Sequence, residues 1–484
     1  MAIELLTRAK GYFEHSKKVA FEKALAEALV LLGRSDSSYY QIARAFKLFA
    51  SNETQKTVAE HMKKYLTPGE PGQIFLSNLA KDVHPNYLRK YVARFITNII
   101  FHNNNDKVKL EDGREVPIPA ALLISPTMRC NLKCVGCYAG NYTRKDDLTQ
   151  EEVESFLGQA RDLGVRYFII LGGEPLIWKP LFDIFDKFSD CAFQFYTSGH
   201  LLDEDKVQRL VKAGNAVPCV SLEGFEGNTN ARRGNGGFAR AMRAMDLLRE
   251  AGALFAFSVT ATHENTEEVV SDEFIDLMIE KGAKYGWYFA YCPVGREPNV
   301  EYMPTPEQRN HLRVGVNRIR ATKPILVADF WNDGPLSEGC LAGGRRYLHI
   351  NNKGDVEPCI FIHYATHNLR QVPLSEALAS EFFSAFRQSQ PYGRVLLRPC
   401  PIIDRPHMLR NAVERFGAYP THDGAEVTIN GLAEHLDDYA ENLRKVYKKV
   451  WKEEMGWVKL LYKDTYNLDD NDEDIDIAGC PLCR

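Results

Sequence analysis

Cys130, Cys134 and Cys137 stand at C-x3-C-x2-C spacing in the run CNLKCVGC. A loop this short can aim three thiolates at one point. Such a trio suits a cuboidal iron–sulfur cluster with one iron left without a protein ligand, where a substrate or cofactor can bind and react. A zinc knuckle, or three buried thiols, can be written on the same spacing. The apolar, β-rich run at 121–125 precedes the loop, so the cysteines leave the C-terminal end of a strand.

Other polar groups recur where apolar runs end. Gly172-Gly173-Glu174-Pro175 follows the run 165–171. The glycines permit close backbone approach to a ligand, and the proline fixes the turn and removes a donor. The carboxylate or exposed carbonyls can then hold an ammonium group; read alone, the tetrapeptide is a turn. Thr197-Ser198-Gly199 and Ser221-Leu222-Glu223 end the next two runs, where hydroxyls also serve as helix caps. Arg232-Arg233-Gly234 follows, and a guanidinium there can pair with a carboxylate. Glu264-Asn265 ends the fifth run and reads equally as a cap. Tyr288, Tyr291 and Cys292 lie in or just after the sixth run and are further candidates for contact with a substrate. Cys191 and Cys219, on or beside strands, read as core packing.

A second cysteine set lies farther along. Cys340 and Cys359 flank alternating strand residues around Asn351-Asn352-Lys353-Gly354, which reads as a β-hairpin that brings its flanking cysteines together. Cys400 sits in RPCP at 398–401, and Cys480 and Cys483 form a terminal CPLC. The acidic run 469–476 ahead of that pair reads as a solvated tail.

The elements that must position these groups divide the chain. Residues 1 to about 105 read as helical: 20–32 has helical periodicity and stops at Gly33, with shorter helices at 39–49 and 57–65 and a break at PGEPG, 68–72. Residues 87–101 gather Leu88, Tyr91, Val92, Phe95, Ile96 and Ile99 on one face, which suits either the protein's own core or a peripheral membrane contact. From 121 onward strands alternate with helices. The strands are expected at 121–125, 165–171, 193–197, 217–222, 254–262 and 285–291. Helices are expected at 150–163, opened by a Thr149/Glu152 capping box, at 237–250 and at 267–281. Near-continuous apolar strands in six β-α units imply an α/β protein with a parallel sheet wrapped by helices. Ligands of such sheets sit at the C-terminal strand ends, where the cysteine loop leaves.

The loop resembles the cluster-binding loop of the radical S-adenosylmethionine (radical SAM) enzymes, with one departure: the residue before the last cysteine is usually aromatic there and is Gly136 here. Tyr138 is a neighbouring ring that can cover the adenine side. Gly172, Gly173, Glu174 and Pro175 match the family's GGEP motif, which grips the amino group of SAM. Thr197, Ser198, Ser221 and Glu223 fall at positions that contact its ribose and carboxylate, and Arg233 would pair with the methionine carboxylate. The hairpin, through Cys340, Gly354 and Cys359, resembles the twitch/SPASM extension, which binds an auxiliary iron–sulfur cluster. The later SPASM cysteine series is absent, so a truncated, single-cluster version is expected, with Cys400 as third ligand. Cys480 or Cys483 is then a fourth ligand, or the two form a separate redox or metal pair.

The resemblance implies a partial (βα)6 TIM-like barrel at 118–322, after an N-terminal helical region at 1–117 and before a twitch/SPASM-like region with its acidic tail at 323–484. It implies a [4Fe–4S] cluster, SAM and a second cluster, with an electron donor such as flavodoxin or ferredoxin. The expected activity is reductive cleavage of SAM to a 5′-deoxyadenosyl radical that takes hydrogen from a small-molecule, natural-product or lipid substrate. A peptide- or protein-modifying maturase is the alternative. A non-catalytic iron–sulfur electron carrier, from a different class, would need the cysteines but not GGEP or the polar strand ends. The N-terminal region is expected to help deliver or cover the substrate.

Composition narrows the field further. The 484 residues have room for two or three domains, and 45% hydrophobic with 26% charged residues is ordinary for a soluble globular protein. A net charge of −4 gives no electrostatic case for nucleic acid. Eleven cysteines, grouped as described, fit metal ligation in a reducing cytoplasm better than a disulfide scaffold. The N-terminus has no signal-peptide pattern, and no apolar run approaches a membrane span.

Overall fold

The six apolar runs form parallel strands. In the computed structural model they are β1 (Ala121–Ile124), β2 (Tyr167–Ile170), β3 (Ala192–Thr197), β4 (Ala216–Leu222), β5 (Ala256–Ala261) and β6 (Tyr285–Ala290), paired in chain order. The structure describes residues 67–101, 107–110, 112–143, 145–462 and 480–482, together with positions between 21 and 30. The expected helices at 39–49 and 57–65, the acidic run 469–476 and Cys483 lie outside the described residues.

Three further strands extend this sheet. β7 (Leu326–Asp329) pairs parallel with β6, and β8 (Tyr347–Ile350) pairs parallel with β1, Tyr347 opposite Ala121 and Ile350 opposite Ile124. β9 (Val356–Glu357) returns antiparallel on β8, closing the expected hairpin. The order is β9-β8-β1-β2-β3-β4-β5-β6-β7, a partial barrel that does not close edge to edge. The hairpin is therefore part of the barrel sheet. All four residues of β8 are buried, so their backbone needs ladder partners on both sides. Ala121 N to Arg346 O and Ser125 N to Ile350 O, both 2.9 Å, continue the ladder past the strand ends. A buried relay fixes the same seam. The Ser125 hydroxyl meets His349 Nε2 at 2.7 Å, His349 Nδ1 meets Glu357 at 2.6 Å, and Tyr142 donates to Glu357 at 2.7 Å.

Helices α1 (Gln150–Asp162) and α2 (Gly237–Glu250) form where expected. In α1, Thr149 Oγ1 accepts from Glu152 N and the Glu152 carboxylate accepts from Thr149 N. The single helix expected over 267–281 is broken: Thr266–Val269 ends, and Ser271 caps a new helix, Asp272–Glu280, with its hydroxyl accepting from Phe274 N.

The described part of the N-terminal region sits at one end of the barrel. Residues 85–101 are helical, with a π turn at Leu88–Val92. Their apolar face packs against the N-terminal ends of the barrel strands. Tyr91 hydroxyl lies 3.4 Å from that of Tyr167 and 3.2 Å from that of Tyr285, the first residues of β2 and β6. Lys90 Nζ donates to Ala213 O just before β4, and His84 N to Gly252 O ahead of β5. Residues 85–101 plug the end of the barrel opposite the cysteine loop. Their apolar face is spent on the protein's own core rather than on a lipid surface. Among the described residues no helix is long and apolar enough to cross a membrane.

Candidate active site

The cysteine loop follows β1 and is ordered from behind by main-chain contacts. Arg296, in the loop after β6, donates through its backbone to Cys137 O at 3.0 Å and through its guanidinium to Cys134 O at 3.1 Å and Gly140 O at 3.4 Å. Arg232 and Val135 exchange backbone contact at 3.0 Å, and the Arg232 side chain donates to Val135 O at 3.1 Å. Asp147 accepts from Thr127 and pairs with Arg129 at the loop's entry. The three thiols are free and half-buried. Burial pushes the Cys130 thiol up to about 11, opposed by the Leu132 amide and reinforced by Glu174, Cys134 and Cys137, which places all four groups together.

Gly172 and Gly173 are required here, though not for the reason expected. A Cβ on Gly172 (φ +117) would stand 2.1 Å from Thr127 O, and one on Gly173 would stand 2.2 Å from Arg129 O. Gly173 N and Glu174 N donate to those same carbonyls at 2.9 Å. The close approach is thus to the backbone that leads into Cys130, and it locks the ends of β1 and β2 together. Pro175 opens a short 3-10 turn and does not reach the cavity.

The two carboxylates of the strand ends act as hubs. Glu174 accepts from Thr197 Oγ1 at 2.8 Å, Ser198 N at 2.9 Å, Ser198 Oγ at 2.8 Å and Leu176 N at 3.3 Å. Burial raises its pKa, and these donors oppose the rise. Glu223 accepts from Arg232, from Arg233 Nε at 2.8 Å and from Thr260 N at 3.0 Å. Glu223 faces away from the cavity, and Arg233 lines it. Burial works against the Arg233 charge, but Glu223 and the Cys134 and Cys137 thiols more than offset this and raise its pKa. Asn265 ties β5 to β4 by donating to Thr260 O and Glu223 O at 3.0 Å.

One cavity of about 1380 Å³ runs from the cysteine loop across these strand ends. Gly172, Gly173, Glu174, Thr197, Ser198, Ser221 and Arg233 line it. Ser258 and Thr260 of β5 also line it and were not singled out from sequence; Ser221 and Ser258 hydroxyls meet at 2.9 Å across β4 and β5. Their alternation at the end of β5, in register with Ser221-Leu222, was the available signal. Deeper, the wall becomes aromatic through Trp287, Phe289, Phe330 and Phe361. Of the three candidates after β6, Tyr288 is turned away, donating to Val269 O at 2.8 Å, while Tyr291 and Cys292 reach the cavity. Gly136 (φ +60) is filled by the Tyr291 ring, whose Cε2 would lie 2.6 Å from any Cβ there. Tyr138 instead donates to Gly172 O at 3.3 Å and packs edge-on against Phe361.

The thiols of the second cysteine set lie within electrostatic reach of one another. Cys340 raises the pKa of both Cys359 and Cys400, as near neighbours do, while burial pushes Cys359 up to about 12 and Cys400 well above its usual range. Each is met by the amide two residues on: Ala342 N to Cys340 Sγ at 3.4 Å, Phe361 N to Cys359 Sγ at 3.5 Å and Ile402 N to Cys400 Sγ at 3.4 Å. Leu132 N repeats the contact at Cys130, 3.4 Å. Amide donors to sulfur are the contacts that tune iron–sulfur centres. Cys191 and Cys219 lack this turn and meet Asp190 and Ser258 instead. Cys480 is disulfide-bonded, and the residues after it lie on the helix Pro406–Phe416, where Arg415 donates to Pro481 O and Asn411 to Leu482 O. Among the described residues no three His, Cys, Asp or Glu side chains are drawn together tightly enough to hold a single metal ion. Free thiols, amide donors to sulfur and a polar, arginine-bearing cleft fit a sulfur-ligated cluster with a zwitterionic ligand beside it.

The chain is similar in sequence to known proteins. A family model described as the radical SAM superfamily matches residues 124–274, and one described as an iron–sulfur cluster-binding domain, SPASM, matches 340–401. The AdoMet-dependent heme synthase of Methanosarcina barkeri is 27% identical over 281 residues, 52% of this chain and 79% of that protein. The mycofactocin maturase MftC of Mycobacterium ulcerans is 30% identical over 268 residues, 52% of this chain and 71% of that one. The PqqA peptide cyclase of Rhizobium meliloti is 29% identical over 310 residues, 58% and 79% of the two chains.

Proposed function

Because the chain belongs to the radical SAM superfamily and carries a SPASM-type iron–sulfur region, we propose that it uses one cavity to bind SAM at the cysteine loop and to expose a substrate C–H bond deeper in the barrel. A [4Fe–4S] cluster and SAM supply a 5′-deoxyadenosyl radical when bound, given an external one-electron donor of the flavodoxin or ferredoxin class. Cys130, Cys134 and Cys137 would hold the cluster. Arg233 would meet the SAM carboxylate, and the backbone at Gly172 and Gly173 its amino end. Ser221, Ser258 and Thr260 would meet the ribose. Glu174 and Glu223 would hold these groups in place, and Tyr291 would cover the face that Gly136 leaves open. The N-terminal plug and the aromatic wall exclude water, which a reactive radical requires. We keep the division at 117/118 and 322/323 as part of this proposal, although β7 and β8, which follow residue 322, pair in the barrel sheet.

The observation that carries the reading is the continuity of the cavity. Cysteine loop, hydroxyl-bearing strand ends, aromatic wall and the Ile360-Phe361 turn beside Cys359 all border the same space.

For the substrate we propose a peptide, in place of the small molecule or lipid expected from sequence. The similarity to the PqqA peptide cyclase over 79% of its length supports it. A compact small molecule is the second reading, favoured by the aromatic wall and by the similarity to a heme synthase. Co-expression with any short open reading frame found beside the gene tests this. A SAM-dependent mass change in one encoded peptide is expected. Unchanged peptides, with turnover of a small tetrapyrrole or other compact compound, would replace the first reading with the second.

A further inference from the structure

Three thiols account for three corners of a cuboidal cluster, whereas a closed one needs four ligands. The fourth is to be sought near Cys340, Cys359 and Cys400, which come from the approach to β8, the turn after β9 and the segment before the helix Pro406–Phe416.

Cys292 is the free thiol that faces them. It lies just beyond β6 and is 4% exposed. Among the described residues its sulfur makes no hydrogen bond, unlike those of Cys191 and Cys219. Its strongest electrostatic neighbours are Cys400 and Cys359, followed by Asp404 and Arg309. Those last two form the buried ion pair whose carboxylate accepts from Cys400 N at 2.9 Å, so Cys292 lies within electrostatic reach of the turn that presents Cys400. From its other side it lines the cavity together with Ile360 and Phe361, which directly follow Cys359. Its backbone is fixed by the strand end: Tyr291 N donates to Ala261 O and Val294 N to Cys292 O, both at 2.8 Å. A buried cysteine is by default a small hydrophobe. The company of two other thiols, Cys359 and Cys400, is what separates this one from Cys191 and Cys219.

We propose that Cys292 is the fourth ligand of the auxiliary iron–sulfur cluster, so that the barrel itself supplies one corner of the centre otherwise held by the C-terminal region. The inference rests on the reading that this region holds a cluster. On binding, the thiol gives its proton to solvent and its sulfur takes the open iron; no electron is transferred. A barrel-borne ligand that also lines the cavity puts the auxiliary centre in direct contact with the space where the substrate reacts.

The test uses the full chain with Cys130, Cys134 and Cys137 replaced by alanine, so that only the second centre remains, reconstituted anaerobically. Iron, sulfide and the electron paramagnetic resonance and Mössbauer spectra are measured. About four irons per chain are expected, as a [4Fe–4S] centre requires. Adding Cys292→Ala should leave one iron without a protein ligand, so that the spectra change and mild oxidation removes that iron to give a three-iron cluster. Cys292→Ser, which keeps a weak oxygen ligand, should retain iron with altered spectra. Cys219→Ala, a buried strand cysteine of similar size, should change nothing. Full iron and unaltered spectra in both Cys292 variants would overturn the proposal, as would the same conversion produced by Cys480→Ala. If replacing Cys340, Cys359 and Cys400 together leaves the iron in place, the auxiliary-cluster reading itself falls.

Discussion

The two cysteine sets differ in how far they are withdrawn from solvent. Cys130, Cys134 and Cys137 are half-buried, and their order comes from arginines that hold the loop's carbonyls from behind. Cys340 is half-buried, but Cys359 and Cys400 are buried, and Cys400 is seated on a fully buried Arg309–Asp404 pair. An open set, with pinned backbone and free metal face, suits a centre that must take up and release a ligand. A more deeply buried set suits a centre that holds or passes electrons without ligand exchange, the same distinction that separates catalytic from structural metal sites.

The largest expected effect breaks the comparison at its open end. Replacing Cys130, Cys134 and Cys137 with alanine should abolish 5′-deoxyadenosine formation and lower iron by about half, if both centres are cuboidal. Iron analysis and chromatography of the reaction read both. Asp404→Ala should act at the closed end. Removing one partner of a buried ion pair costs about 3–5 kcal/mol, measured by denaturant unfolding, and the auxiliary iron should be lost while the loop cluster stays. Glu174→Gln should be milder: weakening one charge-assisted contact to Thr197 or Ser198 should cost about 1–3 kcal/mol of SAM affinity by calorimetry. The smallest change belongs outside both centres. Tyr91→Phe removes a hydroxyl from the plug and should cost about 0.5–1.5 kcal/mol of stability in thermal unfolding, with SAM cleavage unchanged.

What was legible in the sequence was local. The cysteine spacing, the six strands and the capping box each depend on neighbours within a few residues, and each appears in the structure. What was not legible depends on partners far away in the chain. Nothing near Tyr347 says that β8 will pair with Ala121–Ile124, and so the hairpin was not expected in the barrel sheet. A sequence gives Glu174 and Glu223 as carboxylates at strand ends, but not that Thr197, Ser198, Arg232 and Arg233 consume them. The apolar face of residues 87–101 was visible, yet only Tyr167 and Tyr285 reveal which end of the barrel it covers. Arg296 carried no motif, and its grip on Cys134 O spans 162 positions. The break at Ser271 was a capping signal within reach, passed over because the apolar periodicity continues through it.

The central claim is that the loop trio, and not the buried set, holds the iron that meets SAM. Electron–nuclear double resonance on the reduced chain, with SAM labelled with nitrogen-15 at its amino group, tests this most directly. A nitrogen coupling is predicted in the wild type and in the variant lacking Cys340, Cys359 and Cys400, and none in the variant lacking Cys130, Cys134 and Cys137. A coupling that survives loss of the loop trio, or that disappears with the buried set alone, would contradict the account.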